Sequence, residues 1–518
     1  MVWIKLRVKI FNVEIGELRS VVNVEDAEKI GVTTRDRVKI SAEGGHVVTL
    51  VSITNSREVS GPGEIGVFAD VLKRVSLEDG DEVDVTYVPP PPSVSLIKRK
   101  MAGGRLTSEE VEAIIRDAYE GFLSDVELTA FILALEYRGM DADEVESLTK
   151  AMASVGNRLD FGDSLVVDKH GIGGVPGTSK DSLIIVPIVA SAGLLIPKTS
   201  SRAIMSPAGT ADTMEVLAPV DLTAEEIVEI TKRVGGVIAW TASANLSPVD
   251  SVFIERVEYP LSVDPESLIY ASIMSKKYAA GIRRLLLDIP VGPEAKVESM
   301  RDARRIGRNM ADLGERLGIH TEVAISYGGQ PVGRCVGPAL EAREALEILA
   351  SGGKGSRSIV EKAVALAGIL LEMGGVAPIG YGEKAARSIL ESRKAYQKMR
   401  EIIEAQGGDP DVKPEDIPVG EYKETINAPT SGYVAAVSNK TIVRIARAAG
   451  APRDKGAGVR IFAKRGDRVE AGQPLLEIYA ESPAKLQNAL EVARASPPIR
   501  IEGMVLEVIR ERSLIRGF

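Results

Sequence analysis

The fold is decided by Leu165-Val-Val-Asp-Lys-His-Gly-Ile-Gly-Gly-Val-Pro-Gly-Thr-Ser-Lys-Asp-Ser182 and the apolar run that follows it, Leu183 to Pro197. Three apolar residues, typical of a buried strand, precede a turn that contains four glycines. The apolar run predicts a buried helix, and Pro187 and Gly193 interrupt it before it reaches the length of a membrane span. Strand, turn and helix in this order indicate an α/β domain.

The glycine-rich turn is a candidate phosphate site. Glycines let backbone N–H groups approach an anion, the next helix presents its positive end, and Lys169 adds a charge. An ordinary βα turn explains the glycines equally well. The turn has neither a Walker A sequence nor the acidic residue that follows a Rossmann fingerprint.

A second polar cluster begins where the apolar run ends. The segment Lys198-Thr-Ser-Ser-Arg-Ala-Ile-Met-Ser-Pro-Ala-Gly-Thr210 carries five hydroxyl groups and two cationic side chains. It could donate many hydrogen bonds to phosphate oxygens, and Arg202 could form a bidentate pair. A solvated Ser/Thr loop is the competing interpretation.

A third cluster combines Asp264-Pro265 with Ser272 and Lys276. Aspartate before proline is the usual start of a helix, so a purely structural N-cap is the competing interpretation of Asp264. Ser272 and Lys276 lie eight and twelve residues further on, which places all three on roughly one helical face. That face lines a cleft or is simply solvated.

The rest of the chain predicts a multidomain α/β protein. Short alternating runs favour an N-terminal β-barrel, a four-proline stretch follows as a stiff spacer, and Thr107 with Glu110 predicts a capping box that starts a helix. A second linker is expected near 405–420. The expected domains are a barrel at 1–88, a helical domain at 93–160 with a return segment near 250–290, an α/β domain at 161–405 and a C-terminal β-rich domain at 420–518.

Composition limits the classes of partner and site. The 518 residues carry a net charge of −9, which argues against nucleic acid as a partner. The single cysteine, Cys335, excludes an intramolecular disulfide, and three histidines leave little for a metal site. The first seven residues alternate apolar and basic positions like a strand, not like an export signal, and no membrane span is expected. A cytoplasmic location is therefore expected.

At these clusters the sequence resembles the thymidine and pyrimidine nucleoside phosphorylase family. It is most similar to the archaeal branch of that family, which acts on nucleoside 5′-monophosphates. The likeness is carried by Asp168-Lys-His170, by Ile196-Pro-Lys-Thr-Ser-Ser-Arg-Ala-Ile-Met-Ser-Pro-Ala-Gly-Thr-Ala-Asp-Thr213, by the Asp264 helix and by Gly292-Pro-Glu-Ala-Lys296. It covers nearly the whole chain.

The resemblance implies roles for individual residues. Asp264 would be the proton donor, and Lys276 matches a lysine that faces the base in pyrimidine-specific relatives. Inorganic phosphate would be lined by Lys169, Ser182, Ser200 and Thr210. The nucleotide would be contacted by Gly174, Ser201, Arg202, Ala203, Ile204, Met205, Ser206, Thr210, Ser272 and Lys296.

Two departures from the family pattern bear on the phosphate site. Gly171 stands where the family commonly has serine or another side chain that contacts phosphate, so one donor is missing. The segment Thr178–Ser182 is one residue longer than the usual loop, which leaves Thr178, Ser179 and Ser182 as alternative hydroxyl donors. We favour Ser182 because it directly precedes the apolar run.

The resemblance further implies a reaction, partners and a domain arrangement. The expected reaction is phosphorolysis of AMP, with CMP and UMP as further candidates, to free base and ribose 1,5-bisphosphate. Inorganic phosphate would be the co-substrate, with no cofactor and no metal. The family pairs a helical and an α/β domain across a cleft and forms homodimers or larger homo-oligomers.

The sequence is also compatible with three alternative functions. A thymidine or pyrimidine nucleoside phosphorylase is supported by Lys276 and opposed by the N-terminal domain and Lys296. A phosphoribosyltransferase would share the scaffold but usually lacks a C-terminal domain. A non-enzymatic adaptor leaves residues 168–296 unexplained.

The run Lys464–Leu475 resembles a hairpin of biotinyl and lipoyl carrier domains, and we interpret it as structural because no carrier lysine motif flanks it.

Overall fold

The structure is a computed structural model that describes residues 3–43, 45–203 and 206–504. The chain divides into two compact units. The first comprises Met1–Gly156 with Ser247–Ser275, and the second comprises Asn157–Leu246 with Lys276–Phe518.

The first unit begins with a closed six-stranded barrel, which confirms the expected N-terminal β-barrel. Its strands run in the order β1-β5-β2-β4-β3-β6, and β1 closes the barrel by pairing antiparallel with β6. Alternate residues such as Leu6, Ile40 and Val85 fill its core. The elements are β1 (Trp3–Phe11), β2 (Arg19–Asn23), α1 (Val24–Ile30), β3 (Arg37–Ala42), β4 (Gly45–Thr54), β5 (Glu64–Phe68), α2 (Ala69–Leu72) and β6 (Glu82–Val88).

A group of helices follows the barrel in the same unit. The capping box predicted at Thr107 and Glu110 is present, since each residue's side chain accepts a hydrogen bond from the other's backbone N–H. Buried residues such as Ile114, Phe131 and Met152 form their common core. The helices are α3 (Ser93–Met101), α4 (Ser108–Glu120), α5 (Asp125–Arg138) and α6 (Ala142–Ser154).

The second unit opens with the strand, turn and helix that the sequence predicted. Helix α7 is buried along nearly its whole length in spite of Pro187, because strands and helices pack on all its sides. Strands β8 and β9 pair in parallel. The elements are β7 (Val167–Gly171), α7 (Ser179–Ser191), β8 (Ile196–Ser200), α8 (Thr210–Met214), α9 (Ala224–Val234) and β9 (Gly236–Trp240).

The chain then returns to the helical part of the first unit. This segment holds α10 (Val249–Phe253), a π-helical turn (Ile254–Glu258), α11 (Tyr259–Leu261) and α12 (Glu266–Ala279). The residues of α12 up to Ser275 group with the first unit, and those from Lys276 group with the second.

The remaining α/β elements complete a parallel sheet in the order β11-β10-β7. This order places the end of β10 beside the end of β7 and therefore beside the glycine-rich turn. The elements are β10 (Arg284–Val291), α13 (Met300–Arg316), β11 (His320–Tyr327), β12 (Cys335–Val336), α14 (Pro338–Ala350), α15 (Arg357–Met373), α16 (Gly382–Glu391) and α17 (Lys394–Ala405).

The segment after α17 is packed rather than a free linker. The side-chain amide of Gln406 is buried and hydrogen-bonds both backbone groups of Ile238. The guanidinium of Arg343 donates to the carbonyl oxygens of Pro414 and Ile417 at 2.8 and 2.7 Å. Proline and glycine marked the irregular backbone correctly, but these side-chain contacts hold it in place.

The C-terminal part contains strands, as expected, and two helices. Two sheets form, with orders β12-β15-β17-β13 and β16-β14-β18, so the α/β strand β12 joins the first of them. No helix in the described ranges is both long and apolar enough to cross a bilayer. The elements are a 3₁₀ turn (Pro414–Asp416), β13 (Tyr422–Asn427), β14 (Gly432–Val437), α18 (Asn439–Ala448), β15 (Gly458–Ile461), β16 (Arg468–Val469), β17 (Pro474–Ala480), α19 (Pro483–Ala495) and β18 (Ile499–Glu502).

Candidate active site

Lys169 lies in strand β7, just before the glycine-rich turn, and is buried. Its Nζ lies 2.6 Å from Oδ2 of Asp181 in the first turn of α7 and 3.8 Å from Oδ2 of Asp288 on β10. Burial acts to lower the pKa of Lys169, but the attraction of these two carboxylates outweighs it and raises the pKa. Lys169 is therefore a fixed ammonium at the edge of the sheet.

Three more lysines surround the same strand. Nζ of Lys277 lies 2.6 Å from Oδ2 of Asp168, and Nζ of Lys362 lies 2.7 Å from Oδ2 of Asp288. Nζ of Lys198 donates to the carbonyl oxygen of Lys169 at 2.6 Å. With Lys169 and Asp181, the cluster holds four lysine side chains and three carboxylates. Positive charge is in excess, which suits an anionic ligand.

The excess of lysines over carboxylates affects the protonation of Lys198. Its nearest carboxylate oxygen, on Asp168, is 3.7 Å away. Burial, with repulsion from Lys277 and Lys169, lowers the pKa of Lys198 to about 7. An additional anion near the cluster would favour its charged form.

The structure separates the three alternative hydroxyls of the loop. Thr178 donates to the carbonyl oxygen of Val175 at 2.9 Å, and Ser179 donates to the carboxylate of Glu341. The hydroxyl of Ser182 lies 3.2 Å from Oδ1 of Asp181, the carboxylate that holds Lys169. Of the three hydroxyls, that of Ser182 therefore lies beside the Lys169 pair.

The second polar cluster folds back onto helix α7. One carboxylate oxygen of Asp212 accepts the backbone N–H groups of Ala203 and Gly209 at 2.7 and 3.0 Å, which fixes the two ends of the loop. The hydroxyl of Thr210 donates to the carbonyl oxygen of Ser179 at 3.3 Å. Thr210 is thus brought to the first turn of α7.

Other predicted residues of this cluster are more exposed. Ser200, at the end of β8, hydrogen-bonds the carbonyl oxygen of Ser201, and Ser201 and Ser206 are exposed. Ile204 and Met205 lie outside the described residues.

The side chain of Arg202 is engaged within the protein. It forms two 2.6 Å hydrogen bonds with the carboxylate of Glu215, and its guanidinium lies 4.6 Å from the ring centroid of Trp240. The hydrogen bond from Arg202 lowers the pKa of Glu215 to about 2, against the opposing effect of partial burial. In this structure the bidentate pair expected with a phosphate is made with a carboxylate.

Two predicted nucleotide contacts, Gly174 and Lys296, pack against each other. Gly174 has φ +87°, and a Cβ placed on it would lie 2.4 Å from the backbone nitrogen of Lys296. Glycine is required here both by its conformation and by the close approach. Gly171 differs, since a Cβ there would meet only Nζ of Lys169 at 3.4 Å and Oδ2 of Asp288 at 3.8 Å.

Asp264 and Ser272 belong to the first unit, whereas Lys276 belongs to the second. Asp264 is exposed and lies two residues before α12, and the intervening Pro265 is buried. Ser272 and Lys276 are partly buried on that helix. These positions agree with the expected helix start after Asp264.

The sequence carries no local signal for two charged residues of this cluster. Lys198 belongs to the second polar cluster and Lys277 directly follows Lys276, but Asp288 and Lys362 come from β10 and α15 and have no local motif. His170 was also missed as a site residue. Its Nδ1 is buried without a hydrogen-bond partner in the structure, and burial followed by the neighbouring lysines lowers its pKa well below the usual value.

The described residues contain no group of three or more His, Cys, Asp or Glu side chains that could hold a metal ion.

Family comparisons match three parts of the chain. Residues 163–396 match the glycosyl transferase family α/β domain, and residues 94–156 match the helical bundle domain of that family. Residues 433–500 match the pyrimidine nucleoside phosphorylase C-terminal domain. The multidomain fold class expected from the sequence, with helical, α/β and C-terminal domains, is thereby confirmed.

A solved structure shares the fold. Anthranilate phosphoribosyltransferase from Thermus thermophilus superposes with a TM-score of 0.51 over 60% of this chain and 98% of its own, at 20% identity. At that identity the likeness shows the fold alone.

Curated relatives match over almost the whole length. An AMP phosphorylase of Pyrococcus furiosus is 52% identical over 97% of this chain and 99% of its own. AMP phosphorylase 1 of Archaeoglobus fulgidus is 51% identical over 96% and 98%, and the AMP phosphorylase of Thermococcus kodakarensis is 50% identical over 98% and 99%. This degree of identity over the full length confirms the family resemblance, and the chain belongs to the AMP phosphorylase family.

Proposed function

We propose that this enzyme cleaves the N-glycosidic bond of AMP with inorganic phosphate. The observation that carries the proposal is the cluster around Lys169, in which four lysines face three carboxylates beside Ser182 and Thr210. In the proposal, inorganic phosphate is bound by Lys169, Ser182, Ser200 and Thr210. Identity of about half over the whole chain with AMP phosphorylases supports AMP as the substrate, with CMP and UMP as further substrates.

In the proposed reaction a phosphate oxygen attacks C1′ of the ribose while the bond from C1′ to the base nitrogen breaks. The bonding electrons leave with the base, and Asp264 transfers a proton to the purine. The products are adenine and ribose 1,5-bisphosphate. General acid catalysis of this kind typically contributes about 10² to 10⁴ in rate.

The phosphate also stabilises the reaction electrostatically. Positive charge develops on the sugar as the bond stretches, and the negative charge of the bound phosphate stabilises it. Since the lysine cluster is buried and already hydrogen-bonded, it needs little rearrangement when phosphate binds.

The nucleotide contacts are proposed to include Gly174, Lys296 and the loop from Ser201 to Ser206. Because the Arg202 side chain is paired with Glu215, the loop is proposed to contact the 5′-phosphate through its hydroxyl and backbone N–H groups. Ser272 completes the proposed nucleotide contacts.

In the proposal no cofactor is required, and the enzyme is a homodimer or larger homo-oligomer in the cytoplasm.

The test is phosphorolysis of AMP, CMP, UMP, adenosine and thymidine at matched concentrations, with free base and phosphorylated sugar both quantified. We expect adenine and ribose 1,5-bisphosphate from AMP and little reaction with adenosine, because the 5′-phosphate supplies binding energy. If thymidine reacts and AMP does not, the substrate proposal is wrong, and Lys276 becomes the leading base contact.

A further inference from the structure

A cavity of about 560 Å³ lies in the second unit, and none of its lining residues belongs to the proposed catalytic site. Its walls come from β12 and α14, from the loop and first turn of α15, and from β15 and β17 of the C-terminal sheet. This volume is within the range of small-molecule sites.

Cationic side chains dominate the wall. They outnumber carboxylates six to two, whereas the whole chain carries a net charge of −9. The two carboxylates are Glu344 and Glu347. The six cations are Arg334, Arg343, Lys354, Arg357, Arg460 and Lys464.

The carboxylate of Glu344 is already compensated. Nζ of Lys180 lies 2.9 Å from its Oε2, and the backbone N–H groups of Arg334 and Cys335 donate to it. Among the described residues, no carboxylate lies within ion-pair distance of any of the six cations. Glu347 is thus the one lining carboxylate left to offset them.

Backbone carbonyl groups hold several of these cations without neutralising them. Lys464 is buried, and its Nζ donates to the carbonyl oxygen of Gly333 at 2.9 Å. Arg343 donates to the carbonyl oxygen of Ile417 at 2.7 Å. Burial, with repulsion from Lys180, lowers the pKa of Lys464 to about 7, so its charge is costly unless an anion lies nearby.

One wall of the cavity is a glycine-rich loop that leads into α15, a helix of 17 residues. Gly353 has φ +94°, and Ser356 at the N-cap makes no side-chain capping bond. The first N–H groups of the helix therefore lie beside Lys354 and Arg357. A helix N-terminus flanked by cations favours an anion.

Leu340, Ile348 and the Tyr479 ring add an apolar part to the wall. An organic skeleton would contact these groups, which a bare inorganic anion cannot reach at the same time as the cations. We propose that this cavity binds a small organic phosphate ester, the size of a nucleotide or sugar phosphate, with its phosphate groups against the six cations. This site is additional to the proposed catalytic site and does not depend on the proposed function.

The test is calorimetric titration of the full chain with ADP, ribose 5-phosphate, pyrophosphate and adenosine at one fixed salt concentration. The pocket variant is Lys354→Gln with Arg357→Gln, since both side chains are exposed and their loss should not disturb folding. The control is Lys384→Gln with Lys394→Gln, which removes the same charge from exposed positions outside the cavity. Binding to the catalytic site would be equal in the two variants.

We expect ADP or ribose 5-phosphate to bind the control as it binds the wild type and to bind the pocket variant at least about tenfold more weakly, because charge-assisted hydrogen bonds are lost. ADP as the tighter probe would identify a nucleotide, and ribose 5-phosphate a sugar phosphate. Equal affinity of pocket variant and control for both probes would overturn the proposal. So would pyrophosphate or adenosine binding to the cavity as tightly as the phosphate esters.

Discussion

The ammonium nitrogen of Lys169 lies 2.6 Å from a carboxylate oxygen of Asp181, twelve residues later in the sequence and on the far side of the glycine-rich turn. The pair is buried, so it fixes the strand end to the first turn of α7. It also places the charge of Lys169 beside Ser182. The same contact therefore serves folding and the proposed phosphate site.

These two roles can be separated by neutralising one or both partners. Lys169→Met leaves Asp181 buried and unpaired, so it should destabilise the protein by about 3 to 5 kcal/mol and abolish productive phosphate binding. The double variant Lys169→Met with Asp181→Asn removes both charges, so much of the stability should return while activity does not. Urea denaturation and kcat/KM for phosphate measure the two effects. Recovery of activity together with stability would show that Lys169 is structural only.

Gly171 is the position where the family pattern has a side chain, and the structure leaves room for one. Gly171→Ser should place a hydroxyl near Nζ of Lys169, since the Cβ would lie 3.4 Å from it. A hydrogen bond to a charged ligand is worth about 1.5 kcal/mol or more, so KM for phosphate should fall about tenfold. Gly171→Ala is the matched control without a donor. A higher KM in the serine than in the alanine variant would contradict the prediction.

The sequence was sufficient for the elements around this turn because their signals are local. Apolar residues before the glycines marked β7, the apolar run marked α7, and Thr107 with Glu110 marked the start of α4. It was insufficient for the carboxylate that faces Lys169 from β10. Asp288 lies 119 residues away in the sequence and reaches it only because β10 pairs with β7 in parallel.

The partner of the Arg202 side chain could not be predicted from local sequence either. A cation among hydroxyl groups looks the same in sequence whether it meets a phosphate or a carboxylate. Glu215 lies at the end of α8, and its carboxylate accepts two hydrogen bonds from the Arg202 guanidinium. The basic cavity at β12 and α15 left no sequence signal either, since its cations come from separated segments.

Lys198 should make stability depend on pH. Its pKa is about 7 in the folded protein, against an ordinary value of 10.5, because it is buried among other lysines. Between these two values the unfolded chain binds more protons than the folded protein, so wild-type stability should rise with pH by up to about 1.4 kcal/mol per unit. Below pH 7 this contribution is constant and unfavourable. Lys198→Met should lack the rise.

Urea midpoints of the wild type and Lys198→Met at pH 7, 8.5 and 10 measure this difference. The gap between the two proteins should change in favour of the wild type as pH rises. A gap that stays constant across the series would show that Lys198 remains charged in the folded protein.

The Arg202 pair makes a distinct prediction for nucleotide binding. If the guanidinium acts by fixing the loop, Arg202→Gln and Glu215→Gln should raise KM for AMP by similar factors, about tenfold, because both break the same pair. Since the pKa of Glu215 is about 2, the pair persists throughout the working pH range. A large rise in KM for Arg202→Gln with no change for Glu215→Gln would instead indicate direct contact with the 5′-phosphate.

Asp264 is the residue on which the proposed chemistry depends most. Asp264→Asn cannot supply a proton, so kcat for AMP should fall about 10²- to 10⁴-fold with little change in KM. An AMP analogue alkylated at N7 carries a base that leaves without protonation, so the wild type and the variant should cleave it at similar rates. If the variant is slow with both substrates, Asp264 positions the nucleotide and is not the acid. Full activity of the variant with AMP would exclude any catalytic role for the carboxyl group.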